Sequence, residues 1–389
     1  MTTPPAARRT PLAGPAGRNK TGAAPPARSL IPHPHRLFGP AAPAGGVLSG
    51  APFLAARPPV PRAPRWLFAL KGVLAVVAVA VLVRLAHPAD VWRAFADAEW
   101  GWALAALALV PVNVGLEAYR WGRLVRRLAP EVRHRDALRA VVGSYPLGLL
   151  TPGRVGDYVG RAVYLRAVPP GASAALTFGE RMATLAACLV GGLAALGPYL
   201  REAVSPSPLW PAVVGVGALG AGALVLAIAV PSVARAALSA VLPFAPVRRA
   251  VEAFDRIPRE ESVALLALSG LRYLVFSAQF VLLVRAVDPG AALGGVALGV
   301  ALVFFAKSAV PQVTLGDLGV REGAAVFFLG AYGVAPAAAL DASLALFALN
   351  LVLPALAGVP LLLRLRVAAR EADRVGAPGG VAARGRVAA

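Results

Sequence analysis

Apolar stretches about 20 residues long, the length that an α-helix needs to cross a bilayer, recur along the chain. The clearest are residues 66–86, 100–119, 173–196, 209–230, 263–284, 291–310 and 335–363. Charged and turn-forming residues are concentrated between these stretches. The pattern predicts an all-α integral membrane protein, a polytopic helical bundle with about eight to ten hydrophobic segments.

Two apolar regions are interrupted by proline, glycine and charged residues. The first has an apolar run at 137–150 and a short apolar piece that ends at residue 168, and its break contains Thr151, Pro152, Gly153, Arg154, Gly156 and Asp157. The second follows the run 291–310, and its break contains Thr314, Gly316, Gly319, Arg321 and Glu322. Both breaks share the spacing Thr-x-Gly-x-x-Gly. Irregular backbone at membrane depth is tolerated where it is buried in protein or lines a cavity, so we expect two broken or re-entrant helical hairpins.

Basic residues set the predicted orientation, because cytoplasmic loops are rich in lysine and arginine. Residues 120–139 hold seven arginines against two acids, 248–259 is basic, and six arginines follow residue 363, whereas 90–99 leans acidic. These assignments agree only if each interrupted region crosses the membrane twice, which would make the two hairpins an inverted repeat. Corresponding breaks in two halves of a chain point to a transporter's binding site.

Composition supports the membrane assignment. Hydrophobic residues make up 58% of the chain and charged residues 15%, against soluble averages of about 45–50% and about 25%. The net charge of +20 suggests nucleic acid at first sight, but its position along the chain explains it, and no nucleic-acid partner is expected. We expect a disordered basic Pro/Gly/Ala-rich cytoplasmic tail at 1–65, a membrane domain at 66–366 and a disordered basic tail at 367–389.

Ionisable residues at membrane depth are candidates for function, because each is costly unless it faces a cavity or a partner. Arg154, Asp157 and Arg161 lie within two helical turns, so one carboxylate and two guanidiniums can share a face. They could bind a head group or simply hold the hairpin together as an ion pair.

The second break and the long span after the first add further charges. Arg321 and Glu322 are sequence neighbours that point about 100° apart on a helix, so we expect them not to pair with each other. Glu180 and Arg181, near the start of the span 173–196, are the candidate partners. We expect Glu180 to pair with Arg321 or Arg154, and Arg181 with Glu322 or Asp157.

Polar residues in three other spans have functional or structural interpretations. Arg272, with Gln279 seven residues later on the same helix face, could provide a cationic path for a phosphate head group. Lys307 is close enough to the end of its span to snorkel to the interface. Glu117 and Asn113 could line a cavity, or Glu117 could neutralise the nearby Arg120 or Arg123.

Three strings resemble the transmembrane flippase domain of lysylphosphatidylglycerol synthases and of their stand-alone flippase-like relatives. They are Leu-Thr-Pro-Gly-Arg-Val-Gly-Asp-Tyr-Val-Gly-Arg at 150–161, Gly-Glu-Arg at 179–181 and Gly-Asp-Leu-Gly-Val-Arg-Glu-Gly at 316–323. The resemblance covers residues 66–366 and implies lipid translocation. The chain ends about 25 residues after its last span, too few for the aminoacyl-transfer domain of the full-length synthases, so synthase activity is not expected.

No cofactor or metal site is expected from the sequence. It contains no P-loop, H-E-x-x-H or G-x-S-x-G motif, its four histidines lie outside the predicted spans, and its one cysteine is Cys188. A G-x-G-x-x-G string at 215–220 lies in the middle of a span without a preceding strand, which favours helix packing over a dinucleotide site.

The leading hypothesis is a flippase-like transporter of a phospholipid or polyprenyl-linked lipid rather than an enzyme. Arginines would hold the anionic or phosphate head group of a membrane lipid, and the acids would balance them. The expected location is the cell membrane, multi-pass, with both termini in the cytoplasm. Two alternatives stay open: an intramembrane lipid-modifying transferase that uses the same acids and arginines, and an accessory membrane subunit whose charges are structural.

The orientation is testable by cysteine labelling in a Cys188→Ser background. Cysteines introduced at Asp90 and at Ala253 should react with a membrane-impermeant reagent from opposite sides of the membrane, because the acidic segment lies outside and the basic segment inside. Reaction of both from the same side would contradict the inverted arrangement.

Overall fold

The computed structural model describes residues 89, 93, 96–165, 167–202, 204, 207–230, 232–233, 257–310 and 319–376, with side chains up to Arg364 and without that of Pro152. The predicted span 66–86, the tail at 1–65 and residues 377–389 lie outside this description. Within it the chain is helical and no strand occurs. The all-α fold is therefore confirmed.

We number the described helices in chain order. They are α1 (Trp100–Ala108), α2 (Val110–Arg126), α3 (His134–Leu149), α4 (Val155–Tyr164), α5 (Pro170–Glu202), α6 (Trp210–Ala229), α7 (Arg259–Val287), α8 (Leu293–Ala309), α9 (Val320–Gly330), α10 (Pro336–Phe347) and α11 (Leu353–Gly376). A 3-10 turn at Pro152–Arg154 precedes α4, and a π-helical turn at Ala348–Val352 joins α10 to α11.

Five of the described segments are long and apolar enough to cross a membrane: Trp100–Arg126, Pro170–Glu202, Trp210–Ala229, Arg259–Val287 and Pro336–Arg364. The shorter helix α8 is also apolar. These segments coincide with predicted spans, so the multi-pass membrane assignment is confirmed. The last helix runs to Gly376, ten residues past the predicted domain boundary at 366. The three-part division of the chain stays a prediction.

The first interrupted region is a hairpin of α3 and α4, and Thr151 holds its turn. The Thr151 hydroxyl donates to the carbonyl of Leu147 at 2.8 Å and accepts the N–H of Gly156 at 2.6 Å. Gly153 and Arg154 adopt left-handed backbone, with φ of 60° and 54°. For arginine this conformation is uncommon and costs energy, so the surrounding structure must hold it. The consequence is a sharp reversal that starts α4 at Val155.

Glycines let the two helices of this hairpin approach closely. A Cβ atom on Gly156 would overlap the carbonyl of Leu147, and one on Gly160 would lie 2.6 Å from the Cβ of Ser144. Gly143 and Gly148 are similarly crowded, by Tyr164 and Asp157 respectively. Since no larger residue fits at these contacts, the glycine spacing of the sequence is what allows the hairpin to close.

The second interrupted region brings α8 and α9 together in the same way. A Cβ atom on Gly299 would lie 2.9 Å from Leu329, and one on Gly295 would lie 2.9 Å from Tyr332. Gly319, with φ of 95°, precedes α9. Thr314 and Gly316 lie outside the described residues, and the inverted relation of the two hairpins stays a prediction.

The glycine-rich string at 215–220 packs only in part. Gly217 on α6 lies against Leu193 of α5, whereas added Cβ atoms on Gly215 and Gly220 would meet nothing within 4 Å. Ala221 is the only buried residue of α6. Its apolar surface is therefore of the kind that faces lipid rather than protein.

The two largest apolar clusters form most of the interior of the described bundle. One joins α5 and α7 to α8, α9 and α10 around Phe280, Phe304 and Leu329. The other joins α2, α3, α5, α7 and α11 around Trp121 and Tyr145. Because α5 and α7 contribute to both clusters, side chains from the two hairpins can meet around them.

The close hairpin packing generates a stability prediction. Gly160→Ala should destabilise the protein by about 1–3 kcal/mol, because its methyl group would overlap Ser144 and force the helices apart. Thermal unfolding in detergent measures the effect. The matched control is Gly222→Ala on α6, where a methyl group meets nothing within 4 Å and should be neutral or stabilising by up to about 1 kcal/mol. Equal unfolding temperatures for the two variants would contradict this account of the hairpin.

Candidate functional site

A cavity of about 530 Å³ lies among the described helices. Its walls come from α2, the turn before α4, α4, α5, α7, α8, α9, α10 and the π-helical turn. The cationic side chains that line it are Arg120, Arg154, Arg161, Arg181, Arg272, Lys307 and Arg321. The carboxylates that line it are Glu117 and Glu180, and apolar side chains fill much of the remaining wall.

One buried polar group is a network of three arginines and two glutamates. Arg161 donates to Glu117 and, at 2.5 Å, to Glu180. Arg120 donates to Glu180 at 2.7 Å, and Arg272 donates to Glu117 at 2.7 Å. Both glutamates are at most 5% exposed. Four helices, α2, α4, α5 and α7, are thereby joined through charge-assisted hydrogen bonds in which three cations face two anions.

Neutral side chains complete this network. Tyr145 of α3 donates to Glu117 at 2.9 Å. Arg120 also donates to Thr184 at 3.1 Å and to Ser269 at 2.5 Å. Buried charges are tolerated when they are paired and hydrogen-bonded in this way. The network therefore explains how Arg120, only 1% exposed, can lie inside an apolar bundle.

A second group joins the first hairpin to α5. Asp157 forms ion pairs with Arg154 at 3.0 Å and with Arg181 at 2.6 Å. The guanidinium of Arg154 stacks over Tyr145 at 4.9 Å, and that of Arg181 over Tyr158 at 5.1 Å. The side chains of Arg154 and Arg181 are 21% and 25% exposed, whereas Asp157 is 1% exposed. These two arginines are therefore accessible from the cavity, and their carboxylate lies behind them.

A third group lies at the start of α9. Arg321 donates to its neighbour Glu322 and, at 3.0 Å, to the hydroxyl of Ser343 on α10. Ser343 donates to Glu322 at 3.2 Å, and the other carboxylate oxygen accepts the N–H of Gly319 at 2.7 Å. The expectation that Arg321 and Glu322 do not pair was wrong. The long arginine side chain reaches back to the carboxylate, and Ser343 holds both.

A chain of amide groups borders the cavity. Asn113 donates to Asn350 at 2.6 Å, Asn350 donates to Gln279 at 3.1 Å, and Gln279 donates to the carbonyl of Ala106 at 3.0 Å. Asn350 lies in the π-helical turn, and such turns are frequent at functional sites. Of the predicted pair Arg272 and Gln279, only Arg272 lines the cavity, whereas Gln279 is fully buried at the far end of this amide chain.

The predicted partners of Glu180 were wrong, whereas one of the two predicted partners of Arg181 is confirmed. Glu180 pairs with Arg120 and Arg161, not with Arg321 or Arg154. Arg181 pairs with Asp157, one of its two predicted partners. Arg161 binds the two glutamates rather than Asp157, so the expected group of Arg154, Asp157 and Arg161 is divided between two clusters.

Other predicted residues also reach the cavity. Lys307, expected to snorkel to the interface, lines the cavity instead. Pro152 and Gly153 form the turn that precedes α4, and Gly153 lines the cavity. The head-group role assigned to the charged side chains stays a prediction.

Sequence reasoning gave too little weight to Glu117 and Arg120. Glu117 was as readily interpreted as the neutraliser of Arg120 or Arg123, but Arg120 binds Glu180 and Arg123 binds Glu261 at 2.9 Å. Arg120 was grouped with a cytoplasmic basic stretch. The sequence does contain a signal for both residues. Glu117 and Arg120 are three residues apart at the end of an apolar span, and this spacing places them on the helix face that carries Asn113.

The fold and cavity define a class of protein: a polytopic membrane protein with a charged cavity enclosed by its spanning helices. The chain belongs to the family of the lysylphosphatidylglycerol synthase TM region, whose family model matches residues 68–358. No curated protein and no solved structure was found to match it. Membership confirms the resemblance expected from the sequence and connects the protein with lipid handling.

The buried network generates a second stability prediction. Glu180→Gln should destabilise the protein by about 3–5 kcal/mol, because it leaves Arg120 and Arg161 without a full counter-charge in the interior. Removing Arg120 as well, in Glu180→Gln with Arg120→Gln, should recover part of the loss. Unfolding temperatures in detergent measure both.

The control for this prediction is Arg139→Ala. Arg139 is 61% exposed and pairs with Asp136 at 3.7 Å, so its loss should cost at most about 1 kcal/mol. If Glu180→Gln unfolds at the same temperature as Arg139→Ala, the network does not hold the bundle together.

Proposed function

We propose that this protein is a flippase-like carrier that moves a phospholipid or polyprenyl-linked lipid from one leaflet to the other without changing it covalently. The observation that carries the proposal is the cavity among the described helices, whose wall combines partly exposed arginines with apolar side chains. A polar lipid has both chemistries: an anionic head group and hydrocarbon chains.

The arginines fit a phosphate group. A guanidinium presents planar, forked donors that match two phosphate oxygens, and it remains charged under all physiological conditions. Arg154 and Arg181 share one carboxylate and are accessible from the cavity, so both can turn donors towards a ligand while Asp157 keeps them in place. In the deeper network, three guanidiniums against two carboxylates add to the attraction for an anion.

The rest of the wall fits the hydrocarbon part. The apolar residues that line the cavity are Met182, Leu185, Phe276, Phe304, Val310, Leu346, Phe347 and Leu351. A volume of about 530 Å³ is within the roughly 300–1,000 Å³ range of ligand sites, enough for a head group and the first part of its chains. The family's connection with lipid handling agrees with this assignment.

In this proposal the protein resides in the cell membrane with both termini in the cytoplasm. The lipid enters the cavity from one leaflet, and its phosphate exchanges water for guanidinium donors. Rearrangement of the hairpins then exposes it to the other leaflet. Broken helices are suited to such a movement because their short halves can shift as units around a fixed site.

The proposal is tested in liposomes that contain a fluorescent phospholipid and the purified protein. Wild type should move the lipid between leaflets, as measured by its accessibility to a membrane-impermeant quencher. Arg181→Ala should slow the movement by about tenfold or more, since it removes charge-assisted hydrogen bonds of about 1.5–3 kcal/mol. Arg181→Lys should be intermediate because it keeps the charge and loses the fork.

The matched control is Arg139→Ala. Arg139 is an exposed arginine that pairs with Asp136 and does not line the cavity, so this variant should move lipid as wild type does. Mass spectrometry of the same lipid distinguishes the other classes of protein. A change of lipid mass would favour the transferase. Neither movement nor mass change for wild type would favour the accessory subunit.

A further inference from the structure

Asp341 is a buried carboxylate that the proposed lipid site does not use. It lies on α10, inside the candidate membrane span Pro336–Arg364, and is 8% exposed. Its Oδ2 atom is buried without a hydrogen-bond partner, and among the described residues no ion pair reaches it. By contrast, each carboxylate in the three described polar groups, Glu117, Glu180, Asp157 and Glu322, is paired with at least one arginine.

The charged and titratable groups on the helices packed against α10 have other partners. On α9, Arg321 and Glu322 bind each other and Ser343. On α7, Arg272 binds Glu117, and Glu261 binds Arg123 and Arg127. Arg285 binds backbone carbonyls, and Tyr273 packs among aromatic rings. Arg259 and Glu260 are exposed at the start of the helix. Among the buried neighbours of Asp341 along α10, Ala337, Ala338, Leu340 and Ala342 are apolar, and the hydroxyl of Ser343 is engaged by Arg321 and Glu322.

An ionised carboxylate without a partner is strongly disfavoured in such surroundings, and a buried acid of this kind normally becomes neutral by taking up a proton. Acidic residues inside membrane spans commonly serve proton relays for this reason. The alternative is a structural role, in which Asp341 would hold an ion-pair partner in place. No such partner occurs among the described residues.

We propose that Asp341 is a proton-binding site that couples lipid movement to the transmembrane proton gradient. This inference rests on the proposed function, and it adds a second ligand, the proton, at a second site. In the conformation described here the carboxyl group holds its proton. When α10 shifts and water reaches Asp341, the carboxylic acid releases H⁺ and becomes a carboxylate, so one proton is exchanged in each cycle.

The structure connects Asp341 to the cavity at two points along the same helix. Ser343, two residues later, holds the Arg321–Glu322 pair, and Arg321 lines the cavity. Asn350, in the π-helical turn that follows α10, also lines it. A displacement of α10 that changes the surroundings of Asp341 therefore also changes the cavity wall.

The coupling is tested by imposing a pH difference across liposomes that contain the full-length protein and the fluorescent phospholipid. For one proton per lipid, a difference of one pH unit changes the equilibrium distribution between leaflets by about tenfold. The wild-type distribution should shift in opposite directions when the gradient is reversed. Asp341→Asn, which imitates the protonated form, should still move lipid but give the same distribution under both gradients. Asp341→Glu should keep the response.

The matched control is Asp288→Asn, an acid in the loop after α7 and outside the spanning helix, which should respond as wild type does. A second readout needs no transport. The infrared carbonyl band of a protonated carboxylic acid should be present in wild type in detergent and reduced in Asp341→Asn, and absence of that difference would overturn proton binding at Asp341.

The outcomes separate the two proposals. A wild type that moves lipid with no response to the gradient, or an Asp341→Asn variant that responds as wild type does, overturns the coupling and leaves the carrier intact. A wild type that moves no lipid under any gradient overturns the proposed function and the coupling with it, while the infrared band still decides whether Asp341 binds a proton.

Discussion

Arg161 lies almost fully buried between Glu117 on α2 and Glu180 on α5, and it comes from the short helix of the first hairpin. A guanidinium in that position would be far too costly without both carboxylates, since neither lipid nor the apolar bundle can solvate it. Each glutamate in turn binds a second arginine, Arg120 or Arg272. The requirement to neutralise these charges inside the bundle therefore fixes how α2, α4, α5 and α7 are placed around the cavity.

The glycines of the hairpin make that placement possible. Gly156 and Gly160 bring α4 against α3, and the left-handed turn at Gly153 and Arg154 reverses the chain within a few residues. Without this reversal Arg161 could not reach between α2 and α5. Backbone geometry and charge pairing thus depend on each other: the turn delivers the arginine, and the buried ion pairs provide energy that can hold a strained turn.

The charged groups divide by exposure into two kinds. The network around Arg161 is buried and pairs each of its arginines with a glutamate, which suits a structural frame. Arg154 and Arg181 share Asp157 and remain partly exposed to the cavity, which suits exchange with a ligand. Asp341 belongs to neither kind. In the function that we propose, the first kind serves as a frame, the second as an anion site and Asp341 as a separate proton site, and the family's connection with lipid handling is consistent with these roles.

The sequence by itself determined the helical membrane fold. Its apolar runs are long enough to span a bilayer, and its composition is too apolar for a soluble globular protein. It also placed the first hairpin at the break around Gly153, put Arg154 and Asp157 on one face, and named Asp157 as one of two possible partners of Arg181. Those are local features, set by residue order, backbone preference and the requirement for charge neutrality at membrane depth.

Only the tertiary structure decided which distant charges meet. Glu180 pairs with Arg120 and Arg161 because α2 and α4 both pack beside α5, and no pattern within one segment contains that information. The role of Glu117 was ambiguous for the same reason. Asp341, a single acid in an apolar helix, became distinctive only when every neighbouring helix proved to offer it no partner among the described residues. Local pattern fixes which residues must be buried, whereas the packing of helices far apart in the chain determines what each buried charge finds opposite it.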